Sequence, residues 1–375
     1  MGARFGPDTV DQLCDLIAGA AGKGETLRLR GGGSKDDVGA PSPGAAVVDM
    51  RGFSGIVDYD PPELVLTVRA GTPLATVQAL VAAEDQMLAF DPFDQGAVPG
   101  AATIGGVIAA GVAGPLRLTR GAVRDHLLGF EAVSGRGERF IAGGKVVKNV
   151  TGFDLPKVMA GSWGRLAALT EVTLKVMPRP QVQQTLVLRG LDPASAIAAM
   201  ARALGAPVEL SAAAHLASWQ GASLTAMRLD GFPRSVAARR AVLIEAFAKL
   251  APMADDESAA VWDAVRYVRP LASDRPLWRI IVPPSRAAAV IAAIPRADWM
   301  LDWAGGLLWL ASEADPALVR KLAEAGGGHA MLARADVEMR GAVPTFHPQP
   351  PVLAALETRV RRAFDPAGVF ETGRF

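Results

Sequence analysis

Apolar residues recur at helical spacing through Val10, Leu13, Cys14 and Ile17, which predicts a helix over Thr9 to Ala21, capped by Asp8 and closed by Gly22 and Gly24. Thr26 to Arg30 then alternates apolar and polar as a strand and runs into Gly31-Gly32-Gly33-Ser34-Lys35. Val- and Leu-rich runs predict strands at Ala46 to Met50 and Leu64 to Ala70. Thr72 caps a helix over Pro73 to Asp85, with Pro in its first position, and Met87 to Phe90 is a short strand stopped by Asp91-Pro92. Farther on, Leu127 to Val133 and Arg139 to Ile141 form a hairpin around Ser134-Gly135-Arg136-Gly137. Asp154 caps a short helix ended by Gly161, and Ala168 to Met177 is a strand.

Pro178-Arg179-Pro180 reads as a linker, because two prolines fix the backbone and remove donors. Beyond it the texture changes. Strands at Thr185 to Arg189, Leu224 to Leu229, Trp278 to Val282 and Gly306 to Leu310 alternate with Ala-rich helices. One helix starts at Asp192-Pro193; others cover Ser235 to Leu250, Ser285 to Ile294 and Asp315 to Ala325. A basic helix, Pro351 to Phe364, leads into Asp365-Pro366-Ala367-Gly368-Val369-Phe370. The pattern predicts an α+β fold in three parts: a domain over 1–178 with subdomains at about 1–92 and 93–178, a smaller α+β domain over 181–340, and a tail over 341–375 that returns to the first domain.

Composition removes several function classes. With 39 Lys and Arg against 38 Asp and Glu and no block of like charge, nothing points to nucleic acid. The single cysteine, Cys14, excludes an internal disulfide and an iron–sulfur cluster. The chain is half apolar with mean hydropathy +0.23, yet Gly and Pro interrupt its longest apolar run, Thr103 to Leu116, so no membrane span is expected. The first residues lack the order of a signal peptide, which makes the cytoplasm the expected compartment.

Glycine carries the candidate chemistry. A backbone without Cβ can approach a ligand and aim N–H groups at it, as a bound pyrophosphate requires. A Walker loop is absent: Gly144-Lys145 is followed by Val146, and position 139 is Arg. The dinucleotide pattern fails at Gly31, Gly135 and Gly22, whose last Gly positions hold Asp36, Phe140 and Leu27. What remains is one glycine loop after the first main strand, Arg30 to Lys35, and a second at Thr103-Ile104-Gly105-Gly106.

Five stretches in order, Arg30 to Lys35, Pro99 to Gly106, Lys148 to Leu155, Gly161 to Leu166 and Phe364 to Phe370, resemble the PCMH-type FAD-binding domain of the vanillyl-alcohol oxidase superfamily. More narrowly, the chain resembles the shorter of the two flavin-type subunits of bacterial glycolate oxidase. The resemblance implies FAD; because Ser34 and Lys35 follow the glycines where family members that hold flavin covalently often have His or Cys, noncovalent FAD is expected. The resemblance implies a first pyrophosphate loop at Leu29, Arg30, Gly31, Gly32, Gly33, Ser34 and Lys35, and a second at Ala101, Ala102, Thr103, Ile104, Gly105, Gly106 and Val107. Gly114, Pro115, Leu116 and Arg117 would follow the flavin or its ribityl chain, and Trp163, Gly164, Arg165, Leu166 and Leu169 the adenosine side. Two departures stand out: Ala109-Ala110-Gly111-Val112 replaces a more polar family pattern, and Glu371-Thr372-Gly373-Arg374 replaces the usual tail.

Oxidation of a 2-hydroxy acid needs a cation for the carboxylate and a base for the hydroxyl proton. The four histidines, His126, His215, His329 and His347, show no metal-ligand spacing; His329, after Gly326-Gly327-Gly328, is the best single candidate for a role in the second domain, and no catalytic base is assigned. The resemblance implies an FAD-binding subunit of a glycolate-oxidising complex, with a second flavin subunit and an iron–sulfur subunit as partners, a small 2-hydroxy acid as substrate, and a place in the cytoplasm or against the inner membrane through those partners. The alternatives are an assembly subunit without an active site and a stand-alone FAD oxidoreductase on another substrate.

Overall fold

In the computed structural model, which describes residues 3–94, 100–145 and 152–375, the alternating runs of the first half pair into two sheets of different kind. Pro99 and Lys148 to Thr151, part of the motifs above, lie outside the described residues. The first sheet is parallel, ordered Arg4–Phe5, Ala46–Asp49, Leu27–Arg30. Helix Val10–Lys23 buries Leu13, Ile17 and Ala20 in a core shared with Leu27, Val48, Val369 and Phe370. Thr9, rather than Asp8, caps this helix: its hydroxyl accepts from Gln12 N at 3.3 Å, and Gly24 closes the other end in the left-handed region at φ 66°.

The second sheet has five antiparallel strands in the order Ile56–Asp60, Val65–Arg69, Ala167–Lys175, Leu127–Ser134, Arg139–Gly143. This corrects the division near residue 92. Val65 pairs with Lys175 and Arg69 with Glu171, so strands from both predicted subdomains share one sheet. Thr72 does not cap helix Leu74–Ala83. Its hydroxyl donates to Arg69 O at 2.7 Å and accepts from Gly55 N at 2.9 Å, pinning the turn before the helix instead. Asp154 likewise makes no cap bond; it pairs with Lys157 at 2.9 Å. The predicted strand Met87 to Phe90 shortens to Gln86–Met87, which pairs with Met177–Pro178, while Leu88 to Phe90 enter the core.

By contact clustering the chain divides into two units. The first comprises Met1–Ala113, Gly121–Arg179 and Pro348–Phe375; the second comprises Gly114–Arg120 and Pro180–His347. The chain rejoins the first unit later than residue 341 because the preceding segment is tied to the last strand of the second: Leu332 N donates to Thr345 O, and Ala330 N to His347 Nδ1.

The second unit is an eight-stranded antiparallel sheet ordered Ala251–Pro252, Val182–Arg189, Ala222–Gly231, Ala212–Trp219, Asp298–Asp302, Leu307–Ala311, Leu277–Ile281, His329–Arg334. Helices Pro193–Leu204, Pro233–Ala246, Pro284–Ala292 and Pro316–Ala325 contribute to the core against one face. Strands Ala212–Trp219, Asp298–Asp302 and His329–Arg334 and helix Asp255–Arg266 were not expected from pattern. Ala212-Ala213-Ala214 reads as helix by propensity, yet these residues are buried and pair with Arg228, Met227 and Ala226 of the longer neighbouring strand, which makes them sheet.

Candidate functional site

Strand Leu27–Arg30 delivers the first glycine loop to the rim of a cleft in the first unit, and the bare backbone there is required by packing. A Cβ on Gly32 would stand 1.5 Å from Ala101 O, and one on Gly31 would stand 2.3 Å from the Thr103 hydroxyl. Gly33 adopts φ 88°, a region that L side chains avoid. The two glycine loops are therefore seated directly on each other. The second is less open than a loop: Ile104–Ala110 is helical, capped by Thr103, whose hydroxyl accepts from Gly106 N at 3.3 Å. Gly105 is bare because Ala70 lies against it, its Cβ 2.7 Å from where a side chain would begin.

The cleft encloses about 130 Å³ and opens to solvent. All of Leu29 to Lys35 line it, with Thr103, Gly105 and Gly106 from the second loop and Trp163, Gly164 and Leu169 from the predicted adenosine side. The structure does not bring every predicted residue to the wall. Ala102, Ile104, Val107 and Leu166 are buried in the core behind it. Ala101 offers its carbonyl to the Gly32 contact, and Arg165 borders an adjoining cleft while paired with Glu357. Gly114, Pro115, Leu116 and Arg117 are packed into the second unit, where Trp303 Nε1 donates to Gly114 O at 3.0 Å and Thr119 to Ser211 O at 3.0 Å.

Residues that sequence reasoning missed close the cleft. Asp36 receives Arg30 Nε at 2.8 Å and also pairs with Arg28. Arg374 and Phe375 reach the site because the tail is bound into the first unit. The buried Asp365 carboxylate accepts from Val369 N at 2.9 Å and Phe370 N at 2.7 Å, Leu27 N donates to Val369 O at 2.7 Å, and the Arg374 guanidinium donates to Val38 O at 2.8 Å and to Lys35 O. Phe375 lies 5.1 Å from Trp163, ring to ring. The motif Phe364 to Phe370 held the signal for this return, but not the reach of Arg374.

The bland segment Ala109 to Val112 also finds its reason. Gly111 closes the helix at φ 63° with Gly161 against it, Gly161 N donates to Ile108 O at 3.0 Å, and Trp163 N to Ala109 O at 2.8 Å. Small residues there let the loop carrying Trp163 dock by its backbone.

Electrostatically the cleft is poised for an anion. Lys35 is largely removed from water, and burial pushes its ammonium down to about 8, against the pull of Asp94 and then Asp37. Its Nζ lies 4.9 Å over the Phe93 ring and donates to Phe93 O at 3.1 Å and Ser34 Oγ at 3.4 Å. No hydrogen bond among the described residues uses the amides of Gly32, Gly33 or Ser34. Unpartnered amides beside a desolvated cation fit a pyrophosphate, so the residues present suit FAD. Among the described residues no His or Cys lines the cleft, and Cys14 sits on the first helix with its thiol pushed up by burial.

The histidines do not converge. His126 is buried 5.5 Å from the Phe90 ring, and His215 is buried against Thr225 Oγ1 at 2.8 Å, held near 4 by desolvation and therefore neutral. His347 pairs with Glu324 at 3.0 Å, and His329, on the strand edge with its ring partly desolvated, is lowered by that desolvation, then by Arg279 and His347. Among the described residues no three His, Cys, Asp or Glu groups are placed to hold a metal.

Comparison with known proteins agrees with this geometry. A family model described as an FAD binding domain matches residues 2–143. The glycolate oxidase subunit GlcE of Escherichia coli (strain K12) is 34% identical over 98% of this chain and 97% of its own length. The glycolate oxidase subunit GlcD of Bacillus subtilis (strain 168) is 30% identical, over 49% of this chain and 39% of its length. Among solved structures, alkyldihydroxyacetonephosphate synthase superposes with TM-score 0.68 at 13% identity, covering 98% of this chain and 76% of that one, and so shares the fold. The chain carries an FAD-binding domain and belongs to the family of the glycolate oxidase subunit GlcE.

Proposed function

We propose that this chain is the FAD-bearing GlcE-type subunit of a complex that oxidises glycolate to glyoxylate. The observation that carries the reading is the pairing of the two glycine loops around Gly32 and Ala101, which puts Gly32, Gly33, Ser34 and Lys35 on the wall of one cleft, the first three with amides that make no hydrogen bond among the described residues. Gly31 to Lys35 with Thr103 and Gly106 hold the pyrophosphate, and Trp163, Gly164 and Leu169 with Phe375 bound the adenosine side. Bound FAD supplies the hydride acceptor for oxidation of the 2-hydroxy acid. The chain's own residues bind and orient the cofactor, neutralise its phosphates and exclude water from its phosphate end. Without His or Cys at the cleft the attachment is noncovalent.

Electrons leave through other subunits, a second flavin chain and an iron–sulfur chain. The single cysteine cannot hold a cluster, and among the described residues no helix is long and apolar enough to cross a membrane, which supports a place in the cytoplasm or against the membrane through partners. The dispersed histidines favour a second reading, an assembly subunit that retains FAD while a partner performs the chemistry. Purification of the chain alone and with its co-expressed partners separates these readings. A yellow protein with about one FAD per chain, and glycolate-dependent dye reduction by the complex, is expected. A colourless chain that takes up no added FAD sinks the flavin assignment, and turnover by the partners without this chain sinks its catalytic role.

A further inference from the structure

Trp278, Ile280, Leu308, Leu310 and Leu332 point into the hydrophobic core. The alternate positions carry Arg279, with Trp309 and Met331 opposite it on the two neighbouring strands. The Arg279 guanidinium lies 5.9 Å from the Trp309 ring and 5.1 Å from the Trp303 ring. Arg117 brings a second guanidinium over that same Trp303 ring, 4.4 Å from its centre. Trp303 is itself fixed: it is buried, its Nε1 donates to Gly114 O, its amide donates to Asp302 Oδ1 at 2.7 Å, and it stands with Ala304 in left-handed backbone at φ 52° and 54°. Non-glycine residues hold that conformation where the surroundings impose it, and such positions cluster at ligand sites.

Two like charges are thus gathered on one indole, with the Asp302 carboxylate acting on Arg279 through its field but not paired with it. Among the described residues neither guanidinium makes a hydrogen bond or ion pair, and the Arg279 Nε is buried without a partner. Burial, then Arg117, push Arg279 down to about 10, against the pull of Asp302. Arg228 on the same sheet face is the internal control. It is buried where Arg279 is half-buried, and Asp230 stands 3.1 Å from its Nε. At Arg228 the sheet supplies a paired carboxylate; at Arg279 and Arg117 it supplies aromatic walls and, among the described residues, no paired carboxylate. A planar guanidinium matches a carboxylate through two parallel N–H bonds, and poorly hydrated walls strengthen that pairing.

We propose that Arg279 and Arg117, held on Trp303, form a binding subsite for a small carboxylate, the acid group of a 2-hydroxy or 2-oxo acid. The assignment of that ligand class rests on the function proposed above.

The test is calorimetric titration of the full chain as purified with oxalate, a non-oxidisable analogue, with inorganic phosphate and neutral ethylene glycol as the comparison ligands. Saturable oxalate binding is expected, weakened at least tenfold by Arg279→Gln and by Arg117→Gln, partly restored in Arg279→Lys, with flavin absorbance unchanged. Arg117 is exposed, so its variant carries the test if Arg279→Gln does not fold. Absence of saturable oxalate binding, an affinity within twofold of wild type in the Arg117 variant, or tighter binding of phosphate or ethylene glycol overturns the subsite. If oxalate binds as expected but the complex does not oxidise glycolate, the functional reading falls and the subsite stands. If the complex oxidises glycolate and oxalate ignores both arginines, the reverse holds.

Discussion

The cleft of the first unit and the arginine pair of the second are both poised for anions, but they are made of different material. In the first, the donors are backbone amides, and side chains matter mainly by being absent: Gly31, Gly32 and Gly105 are bare because Thr103, Ala101 and Ala70 occupy the space a Cβ needs. In the second, the donors are side chains on strands, brought together by register, with Arg279 opposite Trp309, and by the docking of Gly114 under Trp303. A backbone site writes its requirement into local sequence as glycine. A side-chain site leaves single arginines and tryptophans that look like any others until the strands are paired.

The largest test of that contrast is Gly32→Ala. The new Cβ would meet a backbone carbonyl at 1.5 Å, which no rotamer relieves, so the loop must move. The expected cost is at least the roughly 1–3 kcal/mol of an overpacked core, with loss of most bound FAD by absorbance. A variant with normal flavin content would break the claim that packing, rather than turn formation, keeps this position bare.

Asp365→Ala comes next, because two buried amide donors lose a charged acceptor; about 3 kcal/mol is expected, read as a lower midpoint in urea. FAD retention should fall with it, since the same tail carries Arg374 and Phe375 to the cleft.

Lys35→Met sharpens the electrostatic half of the comparison. A bound pyrophosphate raises the ammonium above its free value of about 8, so binding takes up a proton and FAD affinity falls as pH rises from about 8 toward 10. In the variant, affinity at pH 7 should drop about tenfold, as expected for a lost charge-assisted contact, and the slope between pH 8 and 10 should vanish in flavin titrations. A slope that survives would place the titrating group elsewhere.

The smallest effect is expected from Trp303→Phe, which removes the indole bond to Gly114 O at a cost of about 1 kcal/mol in thermal unfolding. FAD content should stay within twofold of wild type. A larger flavin loss would show that the two regions are not independent.

The sequence alone determined a good deal. The first helix, the hairpin around Ser134 to Gly137, the strand ending at Lys175, the glycine loop Arg30 to Lys35 and the return motif at Asp365 are all local: each is set by spacing, caps or turn residues that neighbours in sequence supply. Fold class and FAD followed from the family resemblance of Arg30 to Lys35, Pro99 to Gly106, Lys148 to Leu155, Gly161 to Leu166 and Phe364 to Phe370, taken in that order. Only the tertiary structure decided that Ala212–Trp219 is a strand, that Ile56–Asp60 and Val65–Arg69 share a sheet with residues beyond 127, that Gly114–Arg120 belongs with the second unit, and that Arg374 reaches the cleft. Each depends on a partner far away in the chain. Burial and pairing with a longer strand override the helical preference of alanine, and a carbonyl such as Gly114 O takes whatever donor packing brings to it.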